Sequence, residues 1–383
     1  MNILYICESD PDGCANGSEQ RTHLLYEALC ELGDVKVLCV KDDPTGFGKG
    51  RDDSRFRPMS TFKRAIDFVC RLFQWSIAEL CPKLCPFPAE PDLAKTFPGV
   101  TFDRVVIRYL HLAGKVAVWT CAPAYVDVDD HPLQLQETVA GAGRGRIRRA
   151  LARMLVRRNV DFILERCVGG WISNPDQIGW FRAPEKIKVL RNIPMDVPAG
   201  YGPDAERVPA LMTVGQMGYA PNARGVEAFL KTVWPEVRRH HPDLEYWIVG
   251  AGVPEDRRRR WASVPGVKIL GFVEDLHGLY AKVLAAVVPI EQGGGTCIKT
   301  MEALAHSRAC LTTPFGARGF DAAILEDGAN GLLVYRTAEE FLDRLGRVTD
   351  GAVRARIERN ARIFAEGNFS REAFRRSVRE ILV

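Results

Sequence analysis

The stretch PIEQGGGTCIKTMEALA, residues 289–305, decides how the chain is read. An apolar strand over Ala285–Val288 leads into it, Gly293, Gly294 and Gly295 form its turn, and a helix is expected from about Cys297 to His306. Strand, glycine loop and helix in that order make an anion site. Glycine lets the backbone approach a ligand closely, and the N–H groups of the first helical turn point outward where the macrodipole is positive. Lys299 lies one turn in, on the face that returns to the loop, and Glu302 follows three residues later on that face. The pair can meet a phosphate and a ribose diol. A glycine turn with a solvated Lys–Glu pair is the plainer reading of the same spacing.

Outward from this stretch, apolar strands alternate with helical segments. The second half carries predicted strands at Ala210–Val214, Glu245–Val249, Val267–Leu270, Ala285–Val288 and Ala309–Thr312. Such alternation implies a parallel sheet. The first half opens with a strand at Ile3–Cys7, a helix over Glu19–Leu32 stopped by Gly33, and a strand at Val35–Val40, which is a βαβ unit. Further strands are predicted at Arg104–Ile107, Ala124–Val128 and Gly170–Ser173, and Val189-Leu190 runs into Asn192-Ile-Pro194. The expected fold class is α/β, with two Rossmann-like domains facing each other across a cleft. The boundaries read as residues 1–195 for the first domain, a proline- and glycine-rich linker at 196–207, and 208–365 for the second. Residues 366–383 form a last amphipathic helix, capped by Asn368-Phe-Ser370, with Phe374, Val378 and Leu382 on one side. It can dock on either domain, including a return to the first. In open sheets of this kind ligands sit at the carboxyl ends of the strands, so the cleft is the expected active site.

Composition narrows the class. At 383 residues, two cores are expected. Hydrophobic residues at 46% and charged residues at 26% exclude disorder and fibrous repeats. A net charge of +4 means that any basic surface must come from clustering. The 11 cysteines, of which only Cys81 and Cys85 are close, match neither a disulfide framework nor a zinc ribbon, and reduced structural cysteines are expected. The 7 histidines lack ligand spacing, so no metal and no cofactor are expected. MNILYICESD is unlike a signal peptide, and no run of about 18 apolar residues is present. The expected location is the cytoplasm. IVGAG at 248–252 has part of a dinucleotide fingerprint, but Glu255 stands where the third glycine belongs, and the segment reads as a tight turn.

The second half resembles the donor domain of family 4 glycosyltransferases of the GT-B fold. The matching stretches, in family order, are LMTVGQMGYAPNARGVEAFL, VWPEVRRHHPDLEYWIVGAG, VKILGFVEDL, PIEQGGGTCIKTMEALA and TTPFGARGF. The resemblance implies that Glu302 bonds the ribose hydroxyls of a nucleotide-sugar donor. It implies too that Gly294, Gly295, Thr296 and Cys297, with Gly293, meet the diphosphate or sugar, and that Phe272 and Val273 lie against the base. The sequence departs from the family at Gly294, where the first of two glutamates usually stands; Glu291 lies three residues early. In the Gly215-Gln216 turn, Gln216 stands where arginine is usual, which leaves Lys299 and Arg224 as the phosphate-neutralising candidates.

The first half is similar to the acceptor domain of the same family. ILYICESDPDGCANGSEQRTHLLYEAL carries the family's first strand, loop and arginine-bearing helix, which implies that Gly17, Ser18 and Arg21 approach the diphosphate from the opposite wall. A plain N-cap at Ser18, with Arg21 at N3, fits the same residues. AYVDVDDHP ends a strand in Asp129, Asp130 and His131, placed to meet sugar hydroxyls, and His111 of RYLHLAG is a further catalytic candidate with Lys299. The resemblance implies a retaining transferase without a protein nucleophile, acting on a glycan or lipid-linked acceptor in polysaccharide or glycoconjugate assembly. A non-catalytic nucleotide-sugar-binding or scaffold protein of the same fold is the alternative.

Two segments are basic and amphipathic. Residues 144–158 place Ile147, Leu151, Met154 and Leu155 on one side of an arginine-rich helix, and residues 62–80 mix Lys63, Arg64 and Arg71 with Phe68, Leu72, Phe73 and Trp75. Both read as core-facing helices with solvated basic faces or as peripheral contacts with an anionic membrane surface, at the inner face of the membrane. No nucleic-acid-binding module is evident.

Overall fold

The computed structural model describes residues 1–13, 17–39, 93, 96–116, 119, 121–134, 146–195, 207–293, 296–320 and 329–383. The amphipathic stretch at 62–80, Cys81 and Cys85, residues 196–206 of the linker, Gly294, Gly295 and the Arg144 end of the basic helix lie outside the described residues. The chain forms two compact units, Met1–Arg191 with Arg371–Val383, and Asn192–Ser370.

Unit 1 carries a parallel sheet of β1 (Asn2–Cys7), β2 (Asp34–Cys39), β3 (Arg104–Arg108), β4 (Ala124–Asp129), β5 (Gly169–Ile172) and β6 (Ile187–Val189), ordered β2-β1-β3-β4-β5-β6. Ile3 to Cys7 are buried without interruption. A parallel strand covered on both faces reads as a continuous apolar run, and this is why β1 was legible. The register sets Ile6 against Ile107 and Arg108 against Asp127, and it slips between Asp127 and Asp129. Its described helices include α1 (Gly17–Cys30), α2 (Leu110–Val116) and α3 (Arg146–Arg166).

Unit 2 carries β7 (Val208–Val214), β8 (Glu245–Val249), β9 (Val267–Gly271), β10 (Val283–Val288), β11 (Cys310–Thr312) and β12 (Leu332–Val334), also parallel, ordered β12-β11-β10-β7-β8-β9. Its helices include α4 (Ala220–Thr232), α5 (Leu276–Lys282), α6 (Ile298–Ala305) and α7 (Gly351–Phe369). Phe229, Trp234, Tyr246 and Phe341 form the aromatic centre of its core, with ring centroids 4.8–6.3 Å apart. Contacts of this kind add to plain area burial.

The last helix, α8 (Arg371–Leu382), belongs to unit 1. Phe374, Val378 and Leu382 are buried, and Arg371 and Arg375 pair with Glu27 of α1 and Glu31 just past its end at 2.6 and 2.9 Å.

Both sheets reverse their winding direction once. The chain adds strands outward from β1 to β2 and then returns to β3 on the other side of β1; likewise it runs β7, β8, β9 and returns to β10 beside β7. A reversal of this kind sends the loops after two adjacent strands in opposite directions and opens a crevice at their carboxyl ends. In unit 1 the crevice lies between the ends of β1 and β3, and in unit 2 between the ends of β7 and β10.

Candidate active-site residues in the two units

The crevice of unit 2 is closed in by glycines where backbone approaches backbone. A Cβ at Gly250 would stand 1.9 Å from the Gly215 carbonyl oxygen, and one at Gly225 would stand 2.4 Å from that of Pro289. The turns after β7 and β8 are tied together by Gly215 N–H to Val249 O at 3.0 Å and Met217 N–H to Ala251 O at 2.8 Å. IVGAG is therefore a packing turn, as its incomplete fingerprint indicated.

After β10 the chain passes Pro289, Ile290 and the glycine loop and enters α6. Thr313 Oγ1 accepts from Gly316 N at 3.1 Å and bonds the Ile290 carbonyl, while Thr300 Oγ1 donates to Gly316 O at 2.8 Å. These bonds fix the loop to the turn after β11. Cys297 holds the N-cap position with an extended backbone and makes no side-chain cap. The first N–H groups of α6 are thus left for an anion. Thr296 is buried and accepts from Asn192 Nδ2 at 3.2 Å.

Lys299 and Gly215 are brought together: a Cβ on Gly215 would lie 2.5 Å from Lys299 Cε. Only glycine leaves the lysine stem this path across the end of β7. Gln216 is exposed and its carbonyl accepts from Asn222 Nδ2 at 2.8 Å; Arg224, also exposed, donates to Gln292 Oε1 at 3.2 Å. Glu291 lines a separate recess of about 290 Å³ with Phe315, Tyr335 and Arg336. Phe272 follows β9 and is 75% exposed, and Val273 is half-buried. An aromatic ring held out at a strand's carboxyl end is available for stacking.

Glu302 is half-buried, and its Oε2 accepts from Tyr280 Oη at 3.4 Å. Burial pushes its carboxyl up to about 7, with Lys299 and the Tyr280 bond pulling the other way. Behind it, His306 stacks on Tyr280 with centroids 4.2 Å apart, donates from Nδ1 to the Glu302 carbonyl at 2.8 Å, and accepts from His277 Nδ1 at 2.6 Å. In unit 2 the sequence reading missed a cation. Arg318 lies beside the loop, because a Cβ on Gly293 would be 3.9 Å from its Nη2, and its guanidinium stacks 3.8 Å from the Phe315 ring centroid. The signal was present in TTPFGARGF, where an arginine follows a strand-end turn.

In unit 1 the polar residues gather at the ends of β1, β3 and β4. Asp127 is fully buried and receives Arg21 Nε and Nη2 at 2.9 and 2.7 Å and Arg108 Nη1 at 2.5 Å. Burial opposes its charge, yet the two guanidiniums outweigh it and hold the carboxyl below its usual range. Arg21 also donates to the Leu190 carbonyl at 2.9 Å, so its donors are engaged inside the unit. Asp129 lies 3.7 Å from Arg21 and 3.5 Å from Arg108. Gly17 and Ser18 are the first two residues of α1, so Ser18 is within the helix and is not its N-cap; its hydroxyl bonds the Tyr109 hydroxyl at 2.5 Å.

Tyr109 and Asp129 adopt φ of 69° and 62°. Non-glycine residues occupy that region only where their surroundings force it, often at functional sites. Both line a pocket of about 670 Å³ together with His111, Asp130 and His131. His131 is fully buried, with Nδ1 accepting from Leu133 N at 3.2 Å, and burial pushes its pKa down to about 4. His111 pairs through Nε2 with Glu8 Oε1 and stacks on Tyr109 with centroids 5.5 Å apart. Glu8, Arg108 and Asp127 went unnoticed in the sequence. Among the described residues, no group of three histidine, cysteine or acidic side chains is placed to hold a metal ion, and no helix is long and apolar enough to cross a membrane.

Residues 208–350, which run from β7 through the helix Ala338–Thr349 to the residue before α7 and contain the glycine loop, match the profile of a family described as glycosyl transferases group 1. This segment is a glycosyltransferase domain. The chain as a whole has the GT-B fold. It superposes on HepE of Anabaena in complex with UDP at a TM-score of 0.61 and 13% identity, covering 100% of this chain and 99% of that one. Sucrose-phosphate synthase from Thermosynechococcus elongatus gives 0.63 and 13%, with 99% and 98% covered. WaaG, a glycosyltransferase involved in lipopolysaccharide biosynthesis, gives 0.56 and 16%, with 99% of each covered. No protein of curated function matches the chain in sequence. Within the glycosyltransferase domain, the crevice between β7 and β10 carries Gly215, Lys299 and the start of α6.

Proposed function

We propose that the chain moves a sugar from a nucleotide-diphosphate donor to a glycan or lipid-linked acceptor, in polysaccharide or glycoconjugate assembly. Unit 2 takes the donor. The observation that carries this reading is the uncapped start of α6 behind the glycine loop, with Lys299 crossing Gly215, at the crevice of a domain in the glycosyl transferases group 1 family. The helix N–H groups and Lys299 meet the diphosphate, Glu302 accepts from the ribose hydroxyls, and Phe272 stacks on the base. A bound UDP in the HepE complex supports a nucleotide donor.

The transfer proceeds with retention, without a protein nucleophile and without a protein-held metal. The test is incubation with UDP-, GDP-, ADP- and TDP-sugars and candidate acceptors, with the product's anomeric configuration read by NMR. Inversion contradicts the reading. Gly294, which stands where an acid is usual, favours a second reading as a nucleotide-sugar-binding scaffold, and donor binding without turnover on any acceptor would select it.

Unit 1 contacts the inner face of an anionic membrane through α3. Leu151 and Met154 of that helix are 50% and 45% exposed, and Arg153, Arg157 and Arg158 are exposed among them. Apolar side chains that remain in water on a basic helix gain from lying at a lipid interface. Failure to co-sediment with anionic vesicles at low salt would overturn this.

A further inference from the structure

The last residues of β1 and β2 are both cysteines, and both thiols are free. The ladder pairs Cys7 directly with Cys39, and partners in a parallel register project from the same face of the sheet. Neighbouring strands run about 4.7–4.9 Å apart, inside the Cα separation of about 4.4–6.8 Å that a disulfide spans. The thiols also touch: the Cys7 thiol is pushed well above its ordinary value, first by its hydrogen bond with Cys39 and then by burial. Access differs between the two. Cys7 is fully buried and Cys39 half-buried, so a small oxidant meets Cys39 first, with Cys7 waiting behind it.

In the reduced protein both thiols hold the loop that follows β1. Cys7 Sγ donates to the Ser9 carbonyl at 3.2 Å, and Cys39 Sγ donates to the Glu8 carbonyl at 3.6 Å. These two residues in turn reach the rest of the unit, Glu8 through its carboxylate to His111 and Ser9 through its hydroxyl to Thr22 Oγ1 of α1 at 3.5 Å. A thiol is a weak donor, but a disulfide sulfur has no hydrogen to donate at all. Joining the two sulfurs therefore removes both ties in one step.

We propose that Cys7 and Cys39 are a reversible oxidation site, at which a disulfide closes between β1 and β2 and releases residues 8–13 from the end of the sheet. The oxidant is a peroxide. With hydrogen peroxide, Cys39 Sγ takes one oxygen to become a sulfenic acid, and the other leaves as water. Cys7 Sγ then attacks that sulfur. The S–S bond forms, the S–O bond breaks, and the Cys7 proton departs with the hydroxyl as a second water. The two sulfurs have together lost two electrons, which a dithiol returns by exchange. The site goes beyond the sugar-transfer reading and does not depend on it, since it needs neither donor nor acceptor. Its effect falls on unit 1, where Glu8 and Ser9 lose their anchors, while the glycine loop of unit 2 is untouched.

The full-length protein is treated with hydrogen peroxide, quenched with N-ethylmaleimide, digested without reductant and mapped by mass spectrometry, with hydrogen exchange of residues 8–13 followed in parallel. A peptide joining Cys7 to Cys39 should accumulate and should disappear with dithiothreitol. Exchange within 8–13 should quicken at least about threefold on oxidation, the scale of losing one or two weak hydrogen bonds, and recover on reduction. Cys39→Ser, which keeps a donor for the Glu8 carbonyl, should exchange slowly and ignore peroxide. Cys39→Ala, which has no donor, should exchange faster than the parent even in reductant. Recovery of both thiols as maleimide adducts after peroxide overturns the inference, as does a Cys7–Cys39 link that leaves exchange unchanged. Faster exchange of the Cys39→Ser protein in peroxide overturns it too, because the signal then comes from another cysteine.

Discussion

Replacing Glu302 with glutamine should make unit 2 more stable above neutral pH, and the gain should shrink as the pH is lowered. The carboxyl titrates at about 7 in the folded protein against an ordinary value of 4.5, chiefly because it is buried beside Tyr280. Its folded value is raised, so between those two values the folded state holds a proton that the unfolded chain has released. Stability therefore falls as the pH rises from 4.5 to 7, and the full penalty is present above 7. The difference corresponds to at most about 3 kcal/mol at pH 8, and partial solvent contact reduces the expectation to about 1–2 kcal/mol. Glutamine keeps the shape and an acceptor for the Tyr280 hydroxyl but carries no charge. A gain of that size moves the melting temperature of a unit this large up by about 3–6 °C at pH 8. Most of the gain should be gone at pH 5. The assay is thermal melting of both proteins at the two pH values, in the absence of nucleotide. An equal gain at both, or a loss at pH 8, refutes the reasoning. The same substitution should weaken UDP binding, since under the proposed function the carboxylate accepts from the ribose.

Other outcomes follow from the same geometry. Lys299→Ala should cut turnover by about 100-fold, the scale of losing one transition-state donor, and near-normal turnover would remove the lysine from the mechanism. Gly225→Ala places a methyl group 2.4 Å from the Pro289 carbonyl oxygen, which must push α4 away from the loop after β10. It should lose about 1–3 kcal/mol by denaturant unfolding and bind UDP more weakly. Asp127→Asn leaves Arg21 and Arg108 buried without their main counter-charge, at about 3–5 kcal/mol by urea unfolding at pH 7. Because the folded value of Asp127 is depressed, its contribution is complete above the unfolded carboxylate value and is lost as the pH falls through the folded one, so the gap between variant and parent should narrow in acid.

What was legible from sequence was whatever is local. β1 and β10 announce themselves because strands covered on both faces cannot afford polar residues, and α6 announces itself by the glycines before it. β12, three residues long behind Gly331, has no period to detect, and it exists because β11 offers it an edge. α1 begins at Gly17, two residues ahead of the expected start, which turns Ser18 from a cap into a partner of Tyr109. The strand end at AYVDVDDHP was visible, but the eye falls on Asp129 and Asp130 at its tip. Asp127, inside the strand, is the acid that organises the unit, and its partner Arg21 lies 106 residues away. Glu8 reads as one more polar residue in a loop until His111 is folded onto it.

The two units share a device that bears on how the chain finds its topology. Asp127 takes one arginine from α1 and one from β3; Glu358 of α7 is likewise buried between Arg207, just ahead of β7, and Arg308, just ahead of β11, at 3.2 and 2.7 Å. In each case two like charges converge, and the acid that reconciles them comes from a third element. An intermediate that assembles the arginines without the acid must keep them in water, so it cannot close over that face. A strand docked in the wrong slot meets the same obstacle. Each unit thereby penalises any strand order that would bury its two arginines without the acid, which comes from β4 in one unit and α7 in the other.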